Sequence, residues 1–175
     1  MNIIVKRATE EDAADLIEVQ NKAFLSDYLL YGECPGYNKT NESMKKSIKQ
    51  CHTFKIMDEN TFIGDVIVRY NGNNNYYLGA LCVIPEYENR GIGQKVMSFI
   101  FDYFVDAKHW SLETPADKKR NHYFYKKLGF NITKEYMAGS VKVVLFEKNL
   151  QWSYEHNVIK LIPFLFYYKV NFKTK

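Results

Sequence analysis

The sequence predicts one α/β domain whose sheet is mixed but mostly antiparallel, with about seven strands flanked by about four helices and a C-terminal extension. Three features predict it. β-type runs separated by short polar turns fill the first half, a helical-period run beginning at Gly93 follows directly on a strand, and a strand, a helix and two further strands come after it. At 175 residues the chain fits a single core.

Ile3 to Val5 is a short β-branched run, and Thr9 stands three residues before Asp12, the spacing of a capping box. A helix should start there, with Ala13, Leu16, Ile17, Gln20 and Phe24 on its inward face. Residues 26–42, rich in Tyr, Gly and Asn, are expected to form a loop with at most a helical turn, ahead of a short helix near Ser43 to Gln50. Thr53 to Met57 and Phe62 to Tyr70 read as a hairpin around Asp58 to Thr61. A third strand, Tyr76 to Ile84, is closed by Pro85.

Val96, Met97, Ile100, Phe101, Phe104 and Val105 then fall on one face of a helix, which makes it the crossover of the sheet. Trp110 to Thr114 suits a strand, Asn121 to Leu128 a helix stopped at Gly129, and two strands should flank the Ala138, Gly139, Ser140 turn and end near Phe146. Residues 1–150 thus form the predicted domain. Residues 151–175 lie beyond it, with an apolar stretch broken by Pro163, and packing on the sheet is expected of them ahead of a subunit contact or a segment that folds poorly.

Composition narrows the function. The net charge of +4 is spread along the chain, without the basic block that tracks nucleic acid, and suits an anionic small ligand. The three cysteines, Cys34, Cys51 and Cys82, lack CxxC spacing, and no His spacing suggests a metal or a triad, so neither a disulfide framework nor a metal is expected. With no signal-like N-terminus and no apolar run of membrane-spanning length, a cytoplasmic protein without a membrane partner is expected.

The chemistry-bearing segment is LCVIPEYENRGIGQKV. A strand, Leu81, Cys82 and Val83, delivers the chain to a turn of Asn89, Arg90, Gly91, Ile92, Gly93 and Gln94, and a helix begins at once. Its unpaired amides and positive dipole end can cradle an oxyanion, with Arg90 and Lys95 available to add charge. A plain tight turn would also use a Gly-x-Gly. Neither GxxxxGK[ST] nor GxGxxG is present, since Val96 stands where the third glycine would be.

This segment resembles the acetyl-CoA motif of the GNAT superfamily of N-acetyltransferases, in which Gln or Arg, two variable residues, Gly, any residue, then Gly or Ala follow the fourth strand. Gly91 and Gly93 fill the small positions, and Glu88 departs from the first. NHYFYKKLGF is similar to the family's FYxKxGF helix end, and the element order agrees over about residues 2–150. The resemblance implies acetyl-CoA as co-substrate, with Leu81 to Val83 presenting backbone groups to its pantetheine arm, Asn121 near that arm or capping its helix, and Tyr125 as proton donor to the leaving thiolate. It implies direct transfer to a primary amine of a small molecule or peptide. A non-catalytic acyl-CoA-binding regulatory module is the alternative, and a homodimer is compatible with either.

The family fixes no general base. Glu113, at the end of its strand, and Glu86, beside the glycine turn, are the candidates. Asp27, Tyr28, Tyr31, Glu33 and Tyr37 can frame a cationic amine or form an ordinary surface loop. Cys82 reads as a buried small residue, because direct transfer needs no thiol nucleophile.

Overall fold

The computed structural model describes residues 1–150; the extension at residues 151–175 lies outside the described residues. Seven strands form one sheet in the order β1-β2-β3-β4-β5-β7-β6. The strands β1 (Ile3–Arg7), β2 (His52–Asp58), β3 (Thr61–Tyr70) and β4 (Asn75–Val83) pair antiparallel with their neighbours. β5 (His109–Pro115) joins β4 in parallel, as the crossover predicts, and β6 (Asn131–Ala138) and β7 (Val141–Asn149) complete the sheet as an antiparallel hairpin.

One face is covered by α1 (Ala13–Tyr31) and α2 (Asn41–Gln50), and the other by α3 (Ile92–Tyr103) and α4 (Lys119–Lys127). The expected start of the first helix is a 3-10 turn, Glu10–Asp12, in which the Thr9 N–H donates to Asp12 Oδ2 at 2.8 Å before α1 begins. The expected loop at residues 26–42 is helix as far as Tyr31. Its turn-forming residues begin only at Gly32, whose left-handed φ of 76° ends the helix, and nothing in SDYLLY breaks it. α2 begins at Asn41 rather than Ser43, because Thr40 Oγ1 accepts the Ser43 N–H at 3.1 Å. α3 ends at Tyr103, which leaves Val105 exposed instead of on the inward face.

The core on the α3 side is aromatic: Trp110 is buried between Tyr76, Phe101 and Phe104, with ring centroids 5.2, 5.6 and 5.7 Å away. On the other face α1 seats on the sheet through a polar contact. Asp65, buried on β3, accepts the Cys82 S–H at 2.8 Å and the Gln20 Nε2–H at 2.6 Å. Gln20 Oε1 lacks a partner in this orientation; turned end for end, the amide oxygen would accept a hydrogen bond from a neutral Asp65 carboxyl.

Burial pushes the Asp65 carboxyl above the usual aspartate range, against the hydrogen bonds from Cys82 and Gln20. The folded state therefore holds this proton more tightly than the unfolded chain. The stability it contributes is complete at low pH and is lost as pH rises from the ordinary aspartate value through the folded one. Asp65→Asn should remove that dependence, so the melting temperature of the variant gains on that of the native protein as pH rises from about 4, the ordinary aspartate value, to about 8. Thermal unfolding across this range measures it, and parallel curves would contradict the assignment.

Candidate active site

The site begins with a defect in strand pairing. Ile67 pairs with Ala80 and Val68 with Leu78, so Gly79 is an extra residue in β4. A bulge bends its strand, and a strand glycine commonly marks one. β4 meets β5 only over Asn75 to Tyr77, opposite His109 to Ser111, and beyond the bulge the two strands part. Ile84 donates its N–H to the Ile63 carbonyl at 2.8 Å; by alternation along the strand, the backbone groups of Leu81 and Val83 turn the other way, into the gap.

The chain then passes through a 3-10 turn, Pro85–Tyr87, to α3. Asn89 and Gly91 both have positive φ, 60° and 74°, a local fold that draws successive N–H groups toward one point. Gly91 caps α3 without a side-chain acceptor, so the first-turn amides of Ile92, Gly93 and Gln94 have no capping partner. The two glycines serve different ends. A Cβ on Gly91 would meet nothing within 4 Å, so its requirement is conformational, whereas one on Gly93 would stand 3.3 Å from the Phe124 ring, so its requirement is packing of α3 on α4.

These parts enclose a cavity of about 590 Å³, whose lining includes Leu81, Cys82, Val83, Asn89, Gly91, Ile92, Gly93 and Gln94, with Asn121 and Tyr125 from α4 and Ala23, Phe24 and Asp27 from α1. Tyr125 packs its ring against Phe124, Phe130 and Phe146 at 5.1, 5.9 and 5.7 Å while also lining the cavity, so it belongs to the aromatic core as well as to the site. Burial, with the nearby Tyr77 phenol a smaller influence, pushes its hydroxyl well above the usual tyrosine value and keeps it protonated. Asn121 lies within α4 and does not cap it; its Nδ2 donates to Thr114 Oγ1 at 2.9 Å.

Other expected residues fall elsewhere. The Arg90 guanidinium is turned away from the cavity, onto the Glu86 carbonyl at 2.8 Å and over the Tyr87 ring at 5.2 Å. Lys95 does not line the cavity either. Asp27 is at the rim, but its carboxylate is paired with Lys118 at 2.5 Å. Tyr31 donates to Asp117 Oδ1 at 2.5 Å and Tyr28 stacks on Tyr37 with centroids 4.4 Å apart. Glu33 accepts the Ser140 N–H and hydroxyl at 2.7 and 2.6 Å, which ties the end of α1 to the β6–β7 hairpin. Tyr28, Tyr31 and Glu33 do not line the cavity.

Glu113 also lies outside it, exposed on the face of β5 opposite the buried Trp110 and Leu112. There it accepts a hydrogen bond from the Tyr136 hydroxyl, which chiefly for that reason is pushed up to about 12, and its charge also reaches Tyr77. Tyr77 in turn is a smaller influence on Tyr125. Ser26, Tyr87 and Tyr123 also line the cavity, as do three basic residues that the sequence reading gave no role, Lys118, Arg120 and Lys127. With Asp27 and Glu88 they give the lining three cations and two carboxylates, a balance that favours an anionic ligand. The run DKKR just ahead of the second motif was the available signal for Lys118 and Arg120, and Lys127 is the lysine of that motif. Among the described residues no three His, Cys, Asp or Glu side chains gather as metal ligands, and no helix is long and apolar enough to cross a membrane.

The model of the acetyltransferase (GNAT) family matches residues 16–130. Among solved structures, PaiA N-acetyltransferase from Thermoplasma acidophilum, in complex with coenzyme A, superposes with a TM-score of 0.74 at 20% identity, covering 86% of this chain and 100% of that one. The ribosomal-protein-S18-alanine N-acetyltransferase of Escherichia coli has a TM-score of 0.72 at 13% identity, over 88% and 97% of the two chains. Ard1 from Thermoplasma volcanium has 0.72 at 13% identity, over 87% and 100%. At these identities the likeness is one of fold. No curated protein sequence matches the chain.

Because the space around Gly91 is open, Gly91→Ala carries only the backbone cost of a left-handed alanine, about 1–2 kcal/mol. Urea unfolding should show a loss of that size; an unchanged midpoint would contradict the turn geometry.

Proposed function

Since the chain belongs to the acetyltransferase (GNAT) family, we propose that it transfers an acetyl group from acetyl-CoA directly to a primary amine of a small molecule or peptide. The observation that carries this reading is the single cavity shared by the freed β4 backbone, the glycine turn and Tyr125. The solved Thermoplasma acidophilum neighbour holds coenzyme A, which supports the same ligand here.

Acetyl-CoA, when bound, supplies an activated thioester. The residues present fit it: unpaired amides of Ile92 to Gln94 for the diphosphate, and Leu81 and Val83 backbone groups for the pantetheine amides. An N–H of the freed β4 backbone would polarise the thioester carbonyl as the amine nitrogen forms its bond to the carbonyl carbon and the carbon–sulfur bond breaks. Tyr125 would then give its proton to the departing sulfur. A thiol in water is more acidic than this buried phenol, but the enclosure that raises Tyr125 also makes an unsolvated thiolate more basic, which narrows the gap. The amine's surplus proton would leave through solvent or through Glu113, which accepts from Tyr136.

Acetyl-CoA at about 100 times its Kd should raise the melting temperature by about 5–10 °C, and an amine panel should show acetyl-CoA-dependent release of free thiol. Tyr125→Phe should lower kcat by about 100-fold, with KM for acetyl-CoA little changed. Binding without thiol release from any amine would favour the non-catalytic acyl-CoA module; protection by ATP and not by acetyl-CoA would overturn both readings.

A further inference from the structure

The departure at Glu88 has a structural counterpart. A carboxylate beside an anion cradle opposes a diphosphate, yet Glu88 Oε2 is 2.5 Å from Arg120 Nη1, a residue 32 positions later on α4. Both side chains line the cavity together with Gly91 and Gly93. Resting on the acetyl-CoA reading, we propose that Arg120 supplies the guanidinium to the diphosphate end of the ligand, and that Glu88 is the anchor that holds it at the glycine turn.

Arg120 is placed for this by α4 itself. Phe124, one turn on, packs against Gly93, so the side chain one turn earlier on the same face is carried to the mouth of the turn. Two of the other cations are committed elsewhere, and Lys127, which also lines the cavity, lies about two turns further along α4. Arg90 is turned back on Glu86 and Tyr87, and Lys118 is held by Asp27. The bond from Nη1 leaves the other N–H groups of the Arg120 fork free to reach phosphate oxygens, and the side chain is 61% exposed, so it can follow a ligand. The pair thus converts a side chain of the wrong sign into the holder of one of the right sign.

The test is calorimetric titration of CoA and dephospho-CoA into native protein, Arg120→Ala, Glu88→Gln and the double variant, each first checked for an unaltered melting temperature without ligand. Arg120→Ala should weaken both ligands by about tenfold or more, because it removes a donor and uncovers Glu88. Glu88→Gln should change affinity by less than about threefold, since the guanidinium remains. The double variant decides the matter. If Arg120 touches the ligand it stays at least about fivefold weaker than native; a return to native affinity means that Arg120 only neutralises Glu88 and overturns the proposal. A loss confined to CoA and absent for dephospho-CoA moves the contact to the 3′-phosphate and also overturns it. Native protein that binds neither ligand would instead defeat the acetyl-CoA reading, an outcome distinct from equal binding by native and variant proteins.

Discussion

Everything in the site depends on β4 leaving β5. Two strands that stayed paired along their length would satisfy each other's backbone and enclose nothing. Here the extra residue at Gly79 bends β4 just past its last pairing with β5, and the amides and carbonyls of Leu81 and Val83 are left without a strand to bond. The opening occurs at the crossover, where α3 begins with its own uncapped N–H groups. One gap therefore gathers the unsatisfied backbone of a strand and of a helix end. A ligand with amides along its arm and a diphosphate at its end answers both.

That origin places the cradle in the backbone, while the side chains around it carry charges of both signs. The fixed elements are amides, the left-handed Gly91, and the Gly93 clearance that lets α4 close on α3 through Phe124. Charge is then added from α4, where Lys118, Arg120 and Lys127 line the cavity, while the basic residue inside the turn, Arg90, serves the turn's own packing. On the far side, α1 is fixed to β3 and β4 by the buried Asp65 contact, so the strand that lines the cavity is braced from behind.

Local periodicity made most elements legible. The strands of the first half, the α3 stripe and the motif turn follow from alternation, helical spacing and turn chemistry within short windows. What escaped depends on distance in space. Tyr31 belongs to α1 because nothing before Gly32 stops the helix, although the tyrosines and the glycines that follow colour the whole stretch as loop. The Glu88–Arg120 pair and the Asp65, Cys82 and Gln20 cluster join residues far apart in the chain, and strand register and helix seating decide which of them meet. Glu113 was legible as a strand-end carboxylate, but only the folded chain shows that it sits exposed on β5 and outside the cavity. Tyr125 was legible from its motif, but only packing against Phe130 and Phe146 shows that its ring belongs to the core as well as lining the cavity.

The central claim is that acetyl-CoA occupies the gap between β4 and β5 through backbone groups. Hydrogen–deuterium exchange with and without acetyl-CoA tests it most directly. Slower exchange should appear at Leu81, Val83 and the Ile92 to Gln94 turn, where the amides now lack protein partners, with little change in the β1–β2 hydrogen bonds. Protection confined to other segments, or none at saturating ligand, would contradict the account.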